Sequence, residues 1–270
     1  MNHTISFWSI DGTAAVVIAA LALLYGLCGG FRRNPRMKYA AVAGALLLLC
    51  LCSPLQVLSA HYLFSAHMTV HVILLLLVGP LLLLGWPRVT AQSLPDRLFA
   101  WLRRNPAAAW IIGMGVMWCW HVPVIFNSSM DGMHHPGGVH WVHVAETFSL
   151  VLGGMVYSAP VLHPDPRYRM HALSGVVYLF TACTGCSILG LLITFAPAGT
   201  YMHYLSAADA YGLNAVIQQQ WQLTRKADQQ AAGLIMWVPC CFIYISGAIY
   251  LMAGWFGSRE PASAVKNIAS

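Results

Sequence analysis

The stretch SAHMTVHVILLLLVGP, residues 65–80, places two histidines at the start of a long apolar run. His67 and His71 are four residues apart, so both rings lie on the same face of an α-helix. The run belongs to an apolar segment at 66–86, and roughly 20 apolar residues of helix cross the hydrocarbon core of a bilayer. The stretch therefore predicts a membrane-spanning helix with two metal-binding side chains near one end.

The composition of the whole chain indicates an integral membrane protein. Of its 270 residues, 59% are hydrophobic and 8% are charged, whereas a soluble domain carries about 25% charged residues. The mean hydropathy is +0.65. The formal net charge is +6, but the basic residues lie in loops between apolar segments, so lipid is the expected partner and nucleic acid is not.

Six further apolar segments predict an all-α bundle of seven transmembrane helices in one domain, residues 1–256. Each segment is continuously apolar, unlike the alternating strands of about 10 residues in membrane barrels. The tail, 257–270, is small and polar, and it is predicted to be a disordered cytoplasmic extension. The seven predicted spans are 12–30, 39–58, 66–86, 107–127, 140–161, 172–195 and 231–256.

The positions of the basic residues predict the orientation of this bundle. Lysine and arginine concentrate in cytoplasmic loops, and 12 of the 14 basic residues follow the first, third, fifth and seventh spans. The N-terminus is therefore predicted to lie outside and the C-terminus inside. The 12 residues are Arg32, Arg33, Arg36, Lys38, Arg88, Arg97, Arg103, Arg104, Arg167, Arg169, Arg259 and Lys266.

In this orientation, histidines from three spans meet near the outer face. His67 and His71 begin the third span, His121 lies in the outer third of the fourth, and His143 begins the fifth. Ionisable residues inside a membrane are costly and usually face the bundle interior, where they have a function. These four histidines are predicted metal ligands; the alternative is that they are hydrogen-bonded core residues.

Other side chains on the outer side are candidates for additional ligands, or for residues that orient the ligands. Imidazole binds copper and zinc, and thioether and thiol sulfur favour Cu(I), so copper is preferred to zinc. For the sulfur-containing residues, ordinary apolar packing is the alternative. Asp228 either caps its own helix or orients the histidines. These candidates are Met117, His140, Glu146, Asp228, Gln229, Met236 and Cys240.

All eight cysteines fall within predicted spans, so no disulfide framework is expected. Cys183 and Cys186 form a CxxC in the middle of a span, which we interpret as packing. Cys240 and Cys241 follow Pro239, which can kink the helix and bring neighbouring side chains to a cavity.

Four motifs resemble those of the bacterial CtaG family of cytochrome c oxidase assembly proteins: SAHMTVHVILLLLVGPLLLLGWP, MWCWHVP, HVAETFSLVLGG and DQQAAGLIMWVP. The resemblance covers about residues 40–256 and implies a multi-span protein of the bacterial inner membrane. It implies a role in the respiratory chain, in which copper is handled at the periplasmic face during maturation of a haem–copper oxidase. The implied partners are oxidase subunits and periplasmic copper chaperones.

Two positions depart from the family pattern. The family commonly has Glu-His in the fifth span, where this chain has Glu146 followed by Thr147. It tends to have small residues where this chain has Cys240 and Cys241. The ligand set, and whether copper is bound stably or only transiently, stay open at this point.

Two other functions compete with that of an assembly factor. A b-type haem electron carrier would use histidines of facing spans as axial ligands, and a copper permease would need ligands through the whole membrane depth. An enzyme is not expected, because the sequence has no Ser/His/Asp order, paired catalytic carboxylates or phosphate-binding loop.

Overall fold

The computed structural model describes residues 8, 10–31, 34–131, 138–197, 199–206, 209 and 211–257. All regular elements in this part of the chain are helical, which confirms the all-α prediction. The predicted tail lies outside the described residues from position 258 onward. The α-helices are α1 (Gly12–Leu27), α2 (Met37–Cys52), α3 (Pro54–His61), α4 (Phe64–Ile73), α5 (Gly79–Leu84), α6 (Leu94–Arg104), α7 (Pro106–His121), α8 (Pro123–Asp131), α9 (Trp141–Leu162), α10 (Ala172–Phe195), α11 (His203–Ser206) and α12 (Arg225–Gly257).

Four to six helical segments are long and apolar enough to cross a membrane. The four unbroken ones are Phe64–Leu84, Trp141–Leu162, Ala172–Phe195 and Arg225–Gly257. Two more spans result if each of two bent helix pairs counts as one span. These pairs are α2 with α3, bent by 51°, and α7 with α8, bent by 67°. The remaining candidate, α1, has 16 residues, which is short of the roughly 20 that a bilayer core requires. The seventh span and the orientation of the termini stay predictions.

Prolines explain both bends. Pro54 and Pro123 are the first residues of α3 and α8. A proline has no N–H to donate to the carbonyl four residues earlier, and its ring clashes with that carbonyl, so the preceding helix ends. The second break leaves His121 as the last residue of α7.

The helix that carries the histidine pair packs closely on α9. Leu74–Val78 form a π-helical turn that joins α4 to α5. A Cβ atom at Gly154 of α9 would lie 2.1 Å from the Leu75 carbonyl oxygen, and one at Gly79 would lie 2.7 Å from the Val151 carbonyl oxygen. Glycine at both positions therefore lets the segment that directly follows α4 touch the backbone in the middle of α9.

The last helix, α12, begins six residues before the predicted span. Asp228 and Gln229 therefore lie inside its first turns rather than before it. It packs on α10 with the same close approach, since a Cβ at Gly233 would lie 2.6 Å from the Gly190 carbonyl oxygen. The outer faces of α10 and α12 expose large apolar residues such as Phe180, Phe195 and Phe242, as a lipid-facing surface requires.

Candidate metal centre

His67 and His71 of α4 point together into the bundle and face Glu146 of α9. Their ring centroids are 4.2 Å apart, and each side chain is at most 2% exposed. Glu146 Oε1 lies 3.3 Å from His71 Nε2 and 3.7 Å from His67 Nε2. The other carboxylate oxygen, Oε2, lies 2.9 Å from His143 Nδ1. The structure therefore gathers three histidines around one carboxylate, and we call these four residues the His–Glu cluster.

Glu146 is almost completely buried, with 1% of its surface exposed. Among the ion pairs of the described residues, its partners are histidines rather than lysine or arginine. A buried carboxylate without a compensating positive charge is costly, so it must be paired with a cation or protonated. With neutral imidazoles the cluster carries one negative charge, and a bound metal cation would balance that charge.

Several buried nitrogen and oxygen atoms of the cluster have no aligned hydrogen-bond partner. Glu146 Oε1 approaches the two α4 rings without the alignment that a hydrogen bond needs. One ligand atom each from His67, His71 and Glu146 lie within 4.8 Å of one another, which is close enough to share a metal ion. The unpartnered atoms are His67 Nε2, His71 Nδ1, His71 Nε2, His143 Nε2 and Glu146 Oε1. Nitrogen and carboxylate oxygen atoms with free lone pairs suit a transition metal.

His121 stands beside the cluster and adds a sulfur neighbour. Its ring centroid is 5.1 Å from that of His71. Its Nδ1 contacts the Met117 carbonyl oxygen, which can only accept, so Nδ1 carries the proton. In the neutral ring Nε2 then has a lone pair, and that atom lies 3.0 Å from the sulfur of Met68. The His121 Nε2 lone pair and the Met68 sulfur thus face each other, and neither atom carries a proton that could form a hydrogen bond between them.

Asp228 positions the histidine-bearing helix rather than capping its own. Its carboxylate accepts hydrogen bonds from the backbone N–H groups of Phe64 at 2.8 Å and Ser65 at 3.1 Å, and from the Ser65 hydroxyl at 2.5 Å. These are N–H groups of the first turn of α4, which have no partner within the helix. Asp228 therefore caps the helix that carries the histidine pair, and its predicted role in orienting the histidines stays a prediction.

Gln229 ties α12 to the end of α10. Its side-chain amide donates to the carbonyl oxygens of Ile193 at 3.1 Å and Ala196 at 2.8 Å. Those carbonyls lie at the C-terminal end of α10, where the helix leaves acceptors unpaired. These contacts give the Gln229 amide a structural role.

The remaining candidates from the sequence lie elsewhere. His140 is the residue before α9, and its backbone N–H donates to the Thr13 hydroxyl of α1 at 3.1 Å. Met117, Met236 and Cys240 are buried in the apolar core, with at most 1% exposure. From the sequence, Glu146 is predicted only as an additional candidate. Glu146 could have been recognised from its i, i+3 spacing to His143, which predicts a shared helix face.

One comparison with known proteins found a match, to a family model. The model of the family described as "Cytochrome c oxidase caa3 assembly factor (Caa3_CtaG)" matches residues 12–258. Comparisons with curated proteins and with solved structures gave no match. The matched range includes every residue of the His–Glu cluster.

Proposed function

The chain belongs to the cytochrome c oxidase caa3 assembly factor family, and from this premise we propose that it binds copper in the His–Glu cluster and passes it to a haem–copper oxidase during maturation. Copper is cargo in this proposal, and the chain carries out no catalytic step. The partner is a copper-accepting subunit of the oxidase. Periplasmic copper chaperones are the proposed donors.

The observation that carries the proposal is the set of ligand atoms around Glu146. A cluster of core histidines would be expected to satisfy its buried nitrogens with hydrogen bonds. In the His–Glu cluster, nitrogens of His67, His71 and His143 have no such partner. A metal ion held by His67, His71 and Glu146 would take up one lone pair from each of the two α4 rings and would also balance the carboxylate.

Charge and ligand softness favour Cu(I) over a divalent metal. Neutral imidazoles and one carboxylate carry a net charge of −1, so a Cu(I) complex is neutral and a Zn²⁺ complex keeps a charge of +1. Uncompensated charge is costly inside a bilayer. The Met68 sulfur and the His121 Nε2 lone pair offer a soft donor pair next to His71. Thioether ligands favour Cu(I).

The geometry does not favour haem binding by the histidine pair. Bis-histidine ligation places a porphyrin plane between the two rings. The rings of His67 and His71 are 4.2 Å apart at their centroids, and both face Glu146. No porphyrin fits between them.

Glu146→Gln tests the proposal with little change in shape. We expect the Cu(I) affinity of the purified protein to fall at least about tenfold, because the variant loses a ligand oxygen and the charge that balances the metal. A Cu(I) competition titration in detergent measures this loss. Asp165→Asn is the matched control, since Asp165 pairs with Arg167 outside the cluster, and it should bind Cu(I) as the wild type does. Unchanged affinity of Glu146→Gln would refute a role for this carboxylate in metal binding.

The cluster is proposed to face the periplasm across the bacterial inner membrane. The N-terminal ends of α4, α9 and α12 and the C-terminal end of α7 carry the residues of the site. Arg36, Arg88 and Arg167 line a cavity together, so three loops predicted to be cytoplasmic meet in the fold. Basic loops stay preferentially in the cytoplasm.

A fusion experiment tests this orientation. A reporter that is active only in the cytoplasm should be active when it is fused after Ser270. The same reporter fused before Met1 should be silent. The reverse pattern would place the cluster on the cytoplasmic side and contradict delivery of copper from the periplasm.

A further inference from the structure

Four of the eight cysteines face one another across the interface of α10 and α12. The sulfurs of Cys183 and Cys241 are 2.9 Å apart. Cys186, three residues after Cys183, and Cys240, next to Cys241, are buried at the same interface. Cysteine often serves as a small apolar packing residue at a helix interface, but packing alone does not require thiol sulfurs to contact each other.

A methionine of a third helix, α7, lies beside Cys186. The Met117 sulfur of α7 lies 3.9 Å from the Cys186 sulfur. Met117, Cys186 and Cys240 are each at most 1% exposed. Two sulfurs that bind one metal at about 2.3 Å in a trigonal arrangement are about 4 Å apart. The Met117–Cys186 distance already matches that geometry.

We propose that Met117, Cys186 and Cys240 form a second Cu(I) site, made only of sulfur and separate from the His–Glu cluster. Thiolate and thioether ligands select Cu(I). Binding joins Cu(I) to the Cys186 thiolate, the Cys240 thiol and the Met117 thioether, and one thiol proton is released, so the complex is neutral and no oxidation or reduction takes place. The inference rests on the proposed function for the source of the metal.

Met117 connects the two sites. Its carbonyl oxygen accepts the hydrogen bond from His121 Nδ1, and its sulfur contacts Cys186. His121 Nε2 in turn faces the Met68 sulfur beside the cluster. Met68, His121 and Met117 therefore place nitrogen and sulfur donors between the His–Glu cluster and the buried thiols. Along this series Cu(I) can move between the two sites by exchanging one ligand at a time.

The Cu(I) stoichiometry of the purified protein tests this site. Under reducing conditions, competition titration should give two Cu(I) per wild-type chain and one per Cys186→Ser/Cys240→Ser chain. The near-ultraviolet charge-transfer absorption of thiolate-bound Cu(I) should be lost only in the cysteine variant. Cys50→Ser/Cys52→Ser is the matched control, because it also removes two buried thiols and should still bind two Cu(I).

Two further variants distinguish failure of the sulfur site from failure of the proposed function. His67→Ala/His71→Ala should lose the other Cu(I) and keep the thiolate absorption. If the cysteine variant does not accumulate, Met117→Leu should weaken the second Cu(I) at least about tenfold. One Cu(I) per wild-type chain without thiolate absorption would overturn the sulfur site and leave the proposed function intact, whereas no bound Cu(I) at all would overturn both.

Discussion

Cells in which this chain carries His67→Ala/His71→Ala are expected to make little active oxidase, although the protein still reaches the membrane. The double variant removes two of the three grouped ligands, His67, His71 and Glu146, while the apolar segments that hold the helices in the bilayer stay almost unchanged. Loss of even a residue that only orients a ligand costs about 10–100-fold in metal affinity, and direct ligands should cost at least as much. We expect oxidase activity to fall to about a tenth or less of normal.

The measurement is oxidase activity per amount of this protein in isolated membranes. His163→Ala is the matched control, since His163 is buried to the same degree but lies at the end of α9 opposite His143. It should leave oxidase activity near normal if it accumulates. Added copper should partly restore activity in the double variant, because a weakened site fills at higher metal concentration. Normal activity of the double variant without added copper would rule out the histidine pair.

The convergence of the histidines could be predicted from the sequence, because the pattern that specifies it is local. Four-residue spacing places His67 and His71 on one helix face in any fold that keeps this helix. Alternating basic loops assign His121 and His143 to the same end of the bundle as that pair. The structure brings the four rings to one place, with His121 next to His71 and His143 against Glu146.

The central position of Glu146 depends on tertiary packing. Its spacing to His143 predicts that the two side chains are neighbours on one helix face. The spacing does not predict which neighbouring helix that face contacts. The direction of this face depends on packing such as the contact of Gly154 with the Leu75 backbone, in the π-helical turn after α4, and in the packed fold Glu146 faces His71. A close backbone approach of this kind joins residues about 80 positions apart, and the sequence of either helix alone does not reveal it.

The hydrogen-bond partners of Asp228 could not be predicted from a local pattern. A carboxylate in the first turn of a predicted helix indicates a favourable interaction with that helix, and this local rule suggested capping. Its actual partners, the N–H groups of Phe64 and Ser65, are separated from it by more than 160 residues in the chain. The pairing exists because α12 packs directly on α4.

The pH dependence of Cu(I) affinity tests most directly whether histidines hold the metal. An imidazole nitrogen must lose its proton to bind a metal, and the ordinary pKa of histidine is about 6.5. Above about pH 7 the affinity of the His–Glu cluster should change little. Below about pH 6 it should fall by up to about tenfold per pH unit for each histidine that binds the metal.

The titration is done on Cys186→Ser/Cys240→Ser, which leaves the His–Glu cluster as the proposed site, against a Cu(I) chelator of known pH dependence. Thioether sulfur does not titrate, so a site built on Met68, Met117 or Met236 would keep its Cu(I) in acid. We predict a flat affinity above about pH 7 and a progressive loss below about pH 6, which reaches up to about a hundredfold per pH unit when both His67 and His71 bind the metal. Burial disfavours the charged imidazolium, so the titration is carried down to about pH 4. An affinity that stays constant over this whole range would contradict the histidine site, and with it the proposed copper-binding role of the His–Glu cluster.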